Sequence, residues 1–390
     1  MNILIVIADL GLGGAQQVVV NFANELTRQN HNVWVYDIYP LLRKKEVVNK
    51  FEKEVIVISK GLDITPKNYK DIIINSLSYR LRINLNYYQQ KIIKNHYQSL
   101  EKAIQKNKID VVNSHVWWAD KFVSERLPQL HSNWWITMHG SYSAMLLNKK
   151  LVSNFKIQAK EAIQRSRGII YLSDTEKKNI EQNIFSDTNK FIKIYNGIPQ
   201  PLVKNPITRK ELGLDDDSFI VLCASRAIKE KGWVELIEAI KVIQQRNKKV
   251  QLLLAGDGSD FVSLKNDYMQ YKFIHFLGYR LDIPELIKLS DVVVLVSYSE
   301  ALPTILIESI FLDKPIMATD VGDTKYIIKN NDKEAGILLQ KKPSIEQIVQ
   351  GLEKLMTKTS YREYSQSCHA IKERFEIKRM VNEYLKVFKN

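Results

Sequence analysis

Glu300 and Glu308 are separated by seven residues in S-E-A-L-P-T-I-L-I-E. The first follows an apolar run, Asp291-Val-Val-Val-Leu-Val-Ser, and the second falls inside the helix predicted next. Pro303 sits where that helix begins. Proline is tolerated at a first helical position, and the amides of Thr304, Ile305 and Leu306 are expected to point outward without partners. A helix start of this kind attracts anions. A carboxylate beside a ring of amide donors, with a second carboxylate further along the helix, suits a phosphorylated, hydroxyl-rich ligand such as a sugar nucleotide.

Arg226 and Lys231 lie in S-R-A-I-K-E-K-G-W, just after the apolar run Val221–Ala224. Two cations five residues apart at a strand end can clamp a diphosphate, arginine as a fixed fork and lysine as a point charge. The competing reading is a solvated basic turn. His139, in I-T-M-H-G-S, ends another predicted strand, where ligands of open α/β sheets bind; a packed structural histidine is the alternative. His115, in N-S-H-V-W-W, reads as a packing or acceptor-side residue. Gly11-Leu-Gly-Gly14 follows the first strand and opens a helix, so its backbone can approach a phosphate. Gln16 replaces the last glycine of a G-x-G-x-x-G pattern, and no G-K-S/T follows. The doublets Trp117-Trp118 and Trp134-Trp135 read as core or rim, with a carbohydrate-stacking or membrane-facing surface as the alternative.

These residues need strands to carry them. Ile3–Ala8, Val33–Tyr36, Val55–Ile58, Val111–Asn113, Trp135–Met138 and Gly168–Tyr171 read as short buried strands, with a helix from Ala15 to Gln29. Ser173-Asp-Thr-Glu176 reads as a capping box. Asn196-Gly-Ile-Pro-Gln-Pro marks an interdomain linker. The pattern then restarts with Phe219–Ala224, Val250–Ala255, Lys272–Phe276, Val292–Val296, Pro315–Ala318 and Gly336–Leu339. Residues Tyr361–Lys389 read as helix with no strand partner. Apolar strands alternating with helices predict parallel sheets covered on both faces. The expected fold class is α/β, with two doubly wound Rossmann-like domains facing each other across a cleft. The expected boundaries are 1–198, 199–372 and a terminal helix 373–390 returning to the first domain.

At 390 residues, two domains are the natural expectation. No apolar run reaches the roughly 18–20 residues of a membrane span, and the N-terminus reads as a strand, not a signal peptide. Two distant cysteines, Cys223 and Cys368, argue against a zinc site or disulfide framework and for a reducing cytoplasm. The 57 Lys+Arg against 43 Asp+Glu leave a net charge of +14, which calls for a polyanionic partner. No nucleic-acid-binding motif accompanies the charge, so an anionic membrane surface is favoured over nucleic acid. Residues 67–108, rich in Tyr, Lys, Arg and Ile, read either as a helix packed on the first sheet or as a lipid-contacting surface.

Taken together, G-G-A-Q-Q-V-V-V-N-F-A-N-E-L, I-T-M-H-G-S, I-Y-N-G-I-P, S-R-A-I-K-E-K-G-W, L-L-A-G-D-G, F-L-G-Y and S-E-A-L-P-T-I-L-I-E resemble the retaining glycosyltransferases of family 4, which have the GT-B architecture. The resemblance covers nearly the whole chain, and the order and spacing of the motifs make it specific. It implies that Arg226 and Lys231 hold the diphosphate of a nucleotide sugar donor and stabilise its departure. Glu300 is implied to contact hydroxyls of the transferred sugar, and Glu308 those of the ribose. The backbone at Leu302, Thr304 and Ile305 is implied to hold sugar and phosphate, with Gly13 and Gly14 near the distal phosphate. His139 is implied to lie near donor sugar and acceptor, and Tyr279 where the base is held. Asp323 and Tyr326 stand where family members often carry Gly and Glu, so contacts to the sugar differ there.

The implied reaction is transfer of a hexose or N-acetylhexosamine, from UDP for instance, to a lipid-linked, lipopolysaccharide or polysaccharide acceptor. Neither cofactor nor metal is expected, since two cations would do the work of a metal. The expected location is the cytoplasmic face of the cell membrane. A sugar-nucleotide epimerase of the same architecture and a non-catalytic nucleotide- or polyanion-binding protein remain as alternatives.

Overall fold

The structure, a computed structural model, describes residues 1–390 except 12, 59–96, 126–132, 147–151, 188, 247–248, 301 and 390, and the side chains at 41, 141, 143 and 144. Most of the 67–108 segment therefore lies outside the described residues. Contacts divide the chain into two units, Met1–Tyr195 with Met380–Asn390, and Asn196–Arg379.

The first unit is built on seven parallel strands: β1 (Asn2–Ile7), β2 (Asn32–Asp37), β3 (Ile56–Ile58), β4 (Val111–His115), β5 (Trp134–Thr137), β6 (Gly168–Tyr171) and β7 (Phe191–Lys193). Their order is β3-β2-β1-β4-β5-β6-β7. Ile3 to Ile7 in β1 are all fully buried, as a strand covered on both faces requires. The helix Gly14–Arg28 buries Val18, Val19, Phe22, Ala23 and Leu26, one apolar stripe, against this sheet. Residues 97–106 are helical, with Tyr97, Leu100, Ala103 and Ile104 buried, so this part of the basic-aromatic segment is packed. The strand β7 has no counterpart among the sequence expectations: three half-buried residues, F-I-K, give no pattern.

Trp134 and Trp135 point to opposite faces of β5, and both are buried. The Trp134 indole donates to Ser114 Oγ at 2.8 Å. Trp135 occupies the space a side chain at Gly168 would need, since a Cβ there would come within 2.2 Å of the indole. Trp117 is also buried, leaving Trp118 as the exposed member of the two doublets. Core, not a stacking surface, is thus the role of three of the four.

In the second unit six parallel strands run in the order β10-β9-β8-β11-β12-β15. They are β8 (Phe219–Ala224), β9 (Val250–Ala255), β10 (Ile274–Gly278), β11 (Val292–Leu295), β12 (Ile316–Thr319) and β15 (Gly336–Leu339). A hairpin of β13 (Lys329–Asn330) and β14 (Lys333–Glu334) precedes the last. Counted within each sheet, the first reads 3-2-1-4-5-6-7 and the second 3-2-1-4-5-6, the doubly wound order in both. The reversal between first and fourth strands opens a crevice at their carboxyl ends, β1 beside β4 in one unit and β8 beside β11 in the other. Ligands bind at such switch points.

The terminal segment departs from one uninterrupted helix. It runs as Lys358–Ile371, a 3-10 turn Lys372–Phe375, and Ile377–Lys389. Glu376 between them is extended and bridges to Ile198, with Ile198 N–H donating to Phe375 O and Ile377 N–H to Ile198 O. Gly197 permits this approach, because a Cβ there would lie 2.4 Å from Glu376 O. Beyond the break, the Tyr384 ring packs 4.6 Å from Phe22, and Asn133 Nδ2 donates to Phe388 O.

Candidate active site

In the second unit, three loops leave β8, β9 and β10 side by side and are tied by their backbones. Ser225 N–H donates to Ala255 O, Ala227 N–H to Asp257 O, and Gly256 N–H to Gly278 O at 2.7 Å. Two glycines of A-G-D-G make this contact possible. A Cβ on Gly256, whose φ is +142°, would fall 1.8 Å from Ser225 O, and one on Gly258 would fall 2.4 Å from Ala227 O. The loops border a cavity of about 300 Å³ whose lining includes Ser225, Arg226, Asp257, Tyr279, Arg280 and Glu308. Arg226 and Tyr279 are exposed to it, and Arg280 is held by a two-pronged bond to Asp282. Ile305 and Glu308, three apart on one helix, present the same face to the cavity.

Across the switch point, Lys231 is fixed by the strand beside it. It ends a 3-10 turn, Lys229–Lys231, followed by Gly232 at φ +67°. A Cβ on Gly232 would lie 2.3 Å from Val296 O, so the turn seats directly on the exit of β11. Tyr298 N–H donates to Glu230 O at 2.8 Å, and the Tyr298 hydroxyl donates to Glu235. The same strand exit leads to Glu300, whose Oε1 meets Lys231 Nζ at 2.5 Å. Arg226, Tyr279, Ile305 and Glu308 thus line the cavity, while Lys231 and Glu300 are paired beside β11.

Leu302 is buried, and Pro303 is the N-cap of the helix Thr304–Phe311, one position before its first residue. The first turn tightens, because Leu306 N–H donates to Pro303 O at 3.2 Å. Of the three amides expected to point outward, Leu306 is therefore committed. Those of Thr304 and Ile305 have no acceptor within the helix. Beneath the loops, burial pushes the Cys223 thiol up to about 12, so it stays neutral and unreactive.

In the first unit, Gly13 caps the helix Gly14–Arg28 and is extended. Gln16 folds back over it and donates to Asp9 Oδ1, which also accepts from Gly11 N–H at 2.8 Å. Around Gly14 there is open space: a Cβ at that position would meet no other atom within 4 Å.

His139 follows β5, and its Nε2 lies 2.9 Å from Nδ1 of His115, the last residue of β4. Burial pushes His139 down to about 4 and His115 well below the ordinary range, so both rings are neutral at pH 7. Gly140 takes φ +80°, and its N–H donates to Glu176 Oε2 at 3.1 Å. This contact corrects the expected capping box: Ser173 is the N-cap of Asp174–Asn183 but makes no side-chain cap bond. The Glu176 carboxylate is drawn to the loop that carries His139. Below that loop Asp120 is buried, accepting from Ser114 Oγ at 2.6 Å and from the Tyr142 hydroxyl, and burial raises it to about 8.

Sequence reasoning did not single out Ser225, Asp257 or Arg280, nor the pairing of His115 with His139. Asp257 is flanked by the two glycines, and Tyr279-Arg280 follows a glycine at a strand end; those were the available signals.

Both halves of the chain match known families. Residues 204–373 match the family described as glycosyl transferases group 1, and residues 12–200 that described as glycosyltransferase family 4. The chain belongs to the GT-B group 1 glycosyltransferases. Among curated relatives of this GT-B glycosyltransferase is the UDP-Gal:alpha-D-GlcNAc-diphosphoundecaprenol alpha-1,3-galactosyltransferase of Escherichia coli. It is 27% identical over 60% of this chain and 63% of its own length. Another is the N-acetyl-alpha-D-glucosaminyl L-malate synthase of Bacillus anthracis, 24% identical over 54% of this chain and 58% of its own. The chain therefore spans about three fifths of each. Among solved structures, HepE of Anabaena in complex with UDP and glucose superposes with a TM-score of 0.74, at 17% identity, over all of both chains. Among the described residues no helix is long and apolar enough to cross a membrane, and no three His, Cys, Asp or Glu side chains are grouped to hold a metal ion.

Proposed function

We propose that this glycosyltransferase moves a hexose or N-acetylhexosamine from a nucleotide diphosphate sugar to a hydroxyl, with retention at the anomeric carbon. The observation that carries the reading is the placement of Arg226 and Lys231 after β8 at its switch point with β11, Arg226 lining the cavity. In the reaction the bond from anomeric carbon to phosphate oxygen breaks, and its electron pair goes to the diphosphate. Arg226, Lys231 and the amides of Thr304 and Ile305 meet that developing charge, which is electrostatic catalysis. The acceptor oxygen bonds to the same face of the anomeric carbon, and its proton passes to the departing phosphate.

Glu300 is assigned to hydroxyls of the transferred sugar, Glu308 to the ribose, Tyr279 and its loop to the base, and Leu302 to the backbone wall beside the sugar. Gly13 and Gly14 are assigned to the distal phosphate and His139 to a carbohydrate hydroxyl. With two cations serving the leaving group, transfer proceeds without a metal ion. UDP is favoured as the nucleotide, because the E. coli relative is named for UDP-Gal and the Anabaena structure holds UDP.

The acceptor is a lipid-linked oligosaccharide or a lipopolysaccharide or polysaccharide intermediate at the cytoplasmic membrane face. The net charge of +14 and a relative named for a diphosphoundecaprenol acceptor support this. Incubation with a panel of nucleotide sugars, with and without undecaprenyl-diphosphate-sugar acceptors and with and without EDTA, tests the reading. Acceptor-dependent release of nucleotide, undiminished by EDTA, is expected. Conversion of donor without acceptor points to an epimerase, and no turnover of any donor to a binding protein. Co-sedimentation with anionic but not neutral liposomes tests the membrane surface.

A further inference from the structure

The chain Asn113–His115–His139 has a polarity fixed from its inner end. Asn113 is fully buried, and its Nδ2 lies 3.1 Å from the carbonyl oxygen of Trp135 and 3.0 Å from Thr137 Oγ1. A carbonyl oxygen only accepts, so the amide nitrogen of Asn113 must face it. Asn113 Oδ1 is thereby turned toward His115 Nε2, 2.7 Å away, and this bond requires the hydrogen on Nε2. A neutral imidazole protonated at Nε2 carries a lone pair at Nδ1. That atom lies 2.9 Å from His139 Nε2, which must supply the hydrogen in turn. The same rule then leaves His139 with a lone pair at Nδ1. Among the described residues that nitrogen makes no hydrogen bond, and His139 as a whole is half-buried. Both histidines sit at carboxyl ends of neighbouring strands beside the β1–β4 switch point, with Ile7 of β1 in register with His115.

We propose that Asn113 and His115 are positioning residues that lock His139 in its Nε2–H tautomer, so that His139 Nδ1 accepts a hydrogen bond from a carbohydrate hydroxyl. The inference rests on the glycosyl-transfer reading for the identity of the ligand, but not for the tautomer. Burial keeps both rings neutral, which preserves the lone pair at neutral pH. His139 in this state discriminates by polarity: it welcomes a hydroxyl, which can donate, and disfavours an ether or carbonyl oxygen, which cannot. No proton leaves the hydroxyl in this step.

The test is a long-range 1H–15N correlation spectrum of the whole chain with labelled histidine at pH 7, without substrate. Both His115 and His139 should show protonated Nε2 and unprotonated Nδ1. A His115→Phe variant, which keeps ring bulk but offers no acceptor, should show averaged tautomer signals at His139. Its transfer rate should fall about tenfold to a hundredfold, as for displaced catalytic positioning, with donor KM little changed. An Nδ1–H signal at His139 in the wild-type protein overturns the inference, even if transfer is robust. A locked Nε2–H tautomer in a chain that turns over no donor upholds it and contradicts the glycosyl-transfer reading alone.

Discussion

Lys231 Nζ and Glu300 Oε1 meet at 2.5 Å, each side chain 14% exposed, across the point where the second sheet reverses its strand order. The pair joins a residue following β8 to one following β11. Tyr298 and Gly232 lock the two segments together. Held this way, the lysine charge stays in place and partly screened from water.

Substituting Glu300→Gln removes the countercharge but keeps the shape. Because each side chain is only 14% exposed, the lysine left without its partner should cost about 1–3 kcal/mol of stability. Transfer should fall as well, with kcat/KM down about tenfold or beyond as a contact to the sugar is lost. Thermal melts and initial-rate kinetics on the same preparation separate the two effects; a large loss of stability with normal turnover contradicts the assignment.

Two glycines should answer an alanine substitution differently. Gly232 sits at φ +67° with Val296 O in the way of a Cβ, so Gly232→Ala should destabilise the second unit by about 2 kcal/mol or more. Gly14 has open space around it and opens a helix, so Gly14→Ala should leave the melting temperature unchanged or slightly raised. Its cost should appear as a higher donor KM. Equal melting losses in both variants contradict this contrast.

A half-buried histidine and a buried aspartate in the first unit set opposite pH slopes. His139 is lowered from 6.5 to about 4, so the unfolded chain binds more protons in that interval. Its contribution to stability is full above pH 6.5 and is lost as pH falls through 4. Asp120 is raised from 3.8 to about 8, so its contribution is full below pH 3.8 and is lost as pH rises through 8. Melting temperatures from pH 4 to 9 should lose steepness on the acid side in His139→Gln and on the alkaline side in Asp120→Asn. Unaltered slopes contradict the burial assigned to these groups.

Much of this was legible in the residues. Gly168–Tyr171, Phe219–Ala224, Val250–Ala255 and Gly336–Leu339 are apolar runs bounded by polar or glycine residues, and each forms a strand with those bounds. Arg226 and Glu308 border one cavity, as their positions at a strand end and in the following helix implied. What stayed hidden depends on partners distant in sequence. Glu176 looked like a local cap, but the Gly140 amide lies 36 residues away and takes its carboxylate. His115 gains its meaning from His139, 24 residues on, through a strand pairing that one-dimensional spacing does not reveal. Glu376 interrupts a helical pattern because Ile198 offers it a backbone bridge.

In the proposed mechanism Arg226 and Lys231 neutralise a diphosphate as it leaves its sugar. The most direct measurement is kcat for nucleotide release from the accepted donor by Arg226→Ala and Lys231→Ala, with folding checked by melting temperature. Each variant should lose about 10²–10³-fold, the scale of removing one oxyanion-hole donor. Turnover within a few-fold of the wild type in folded protein would contradict it.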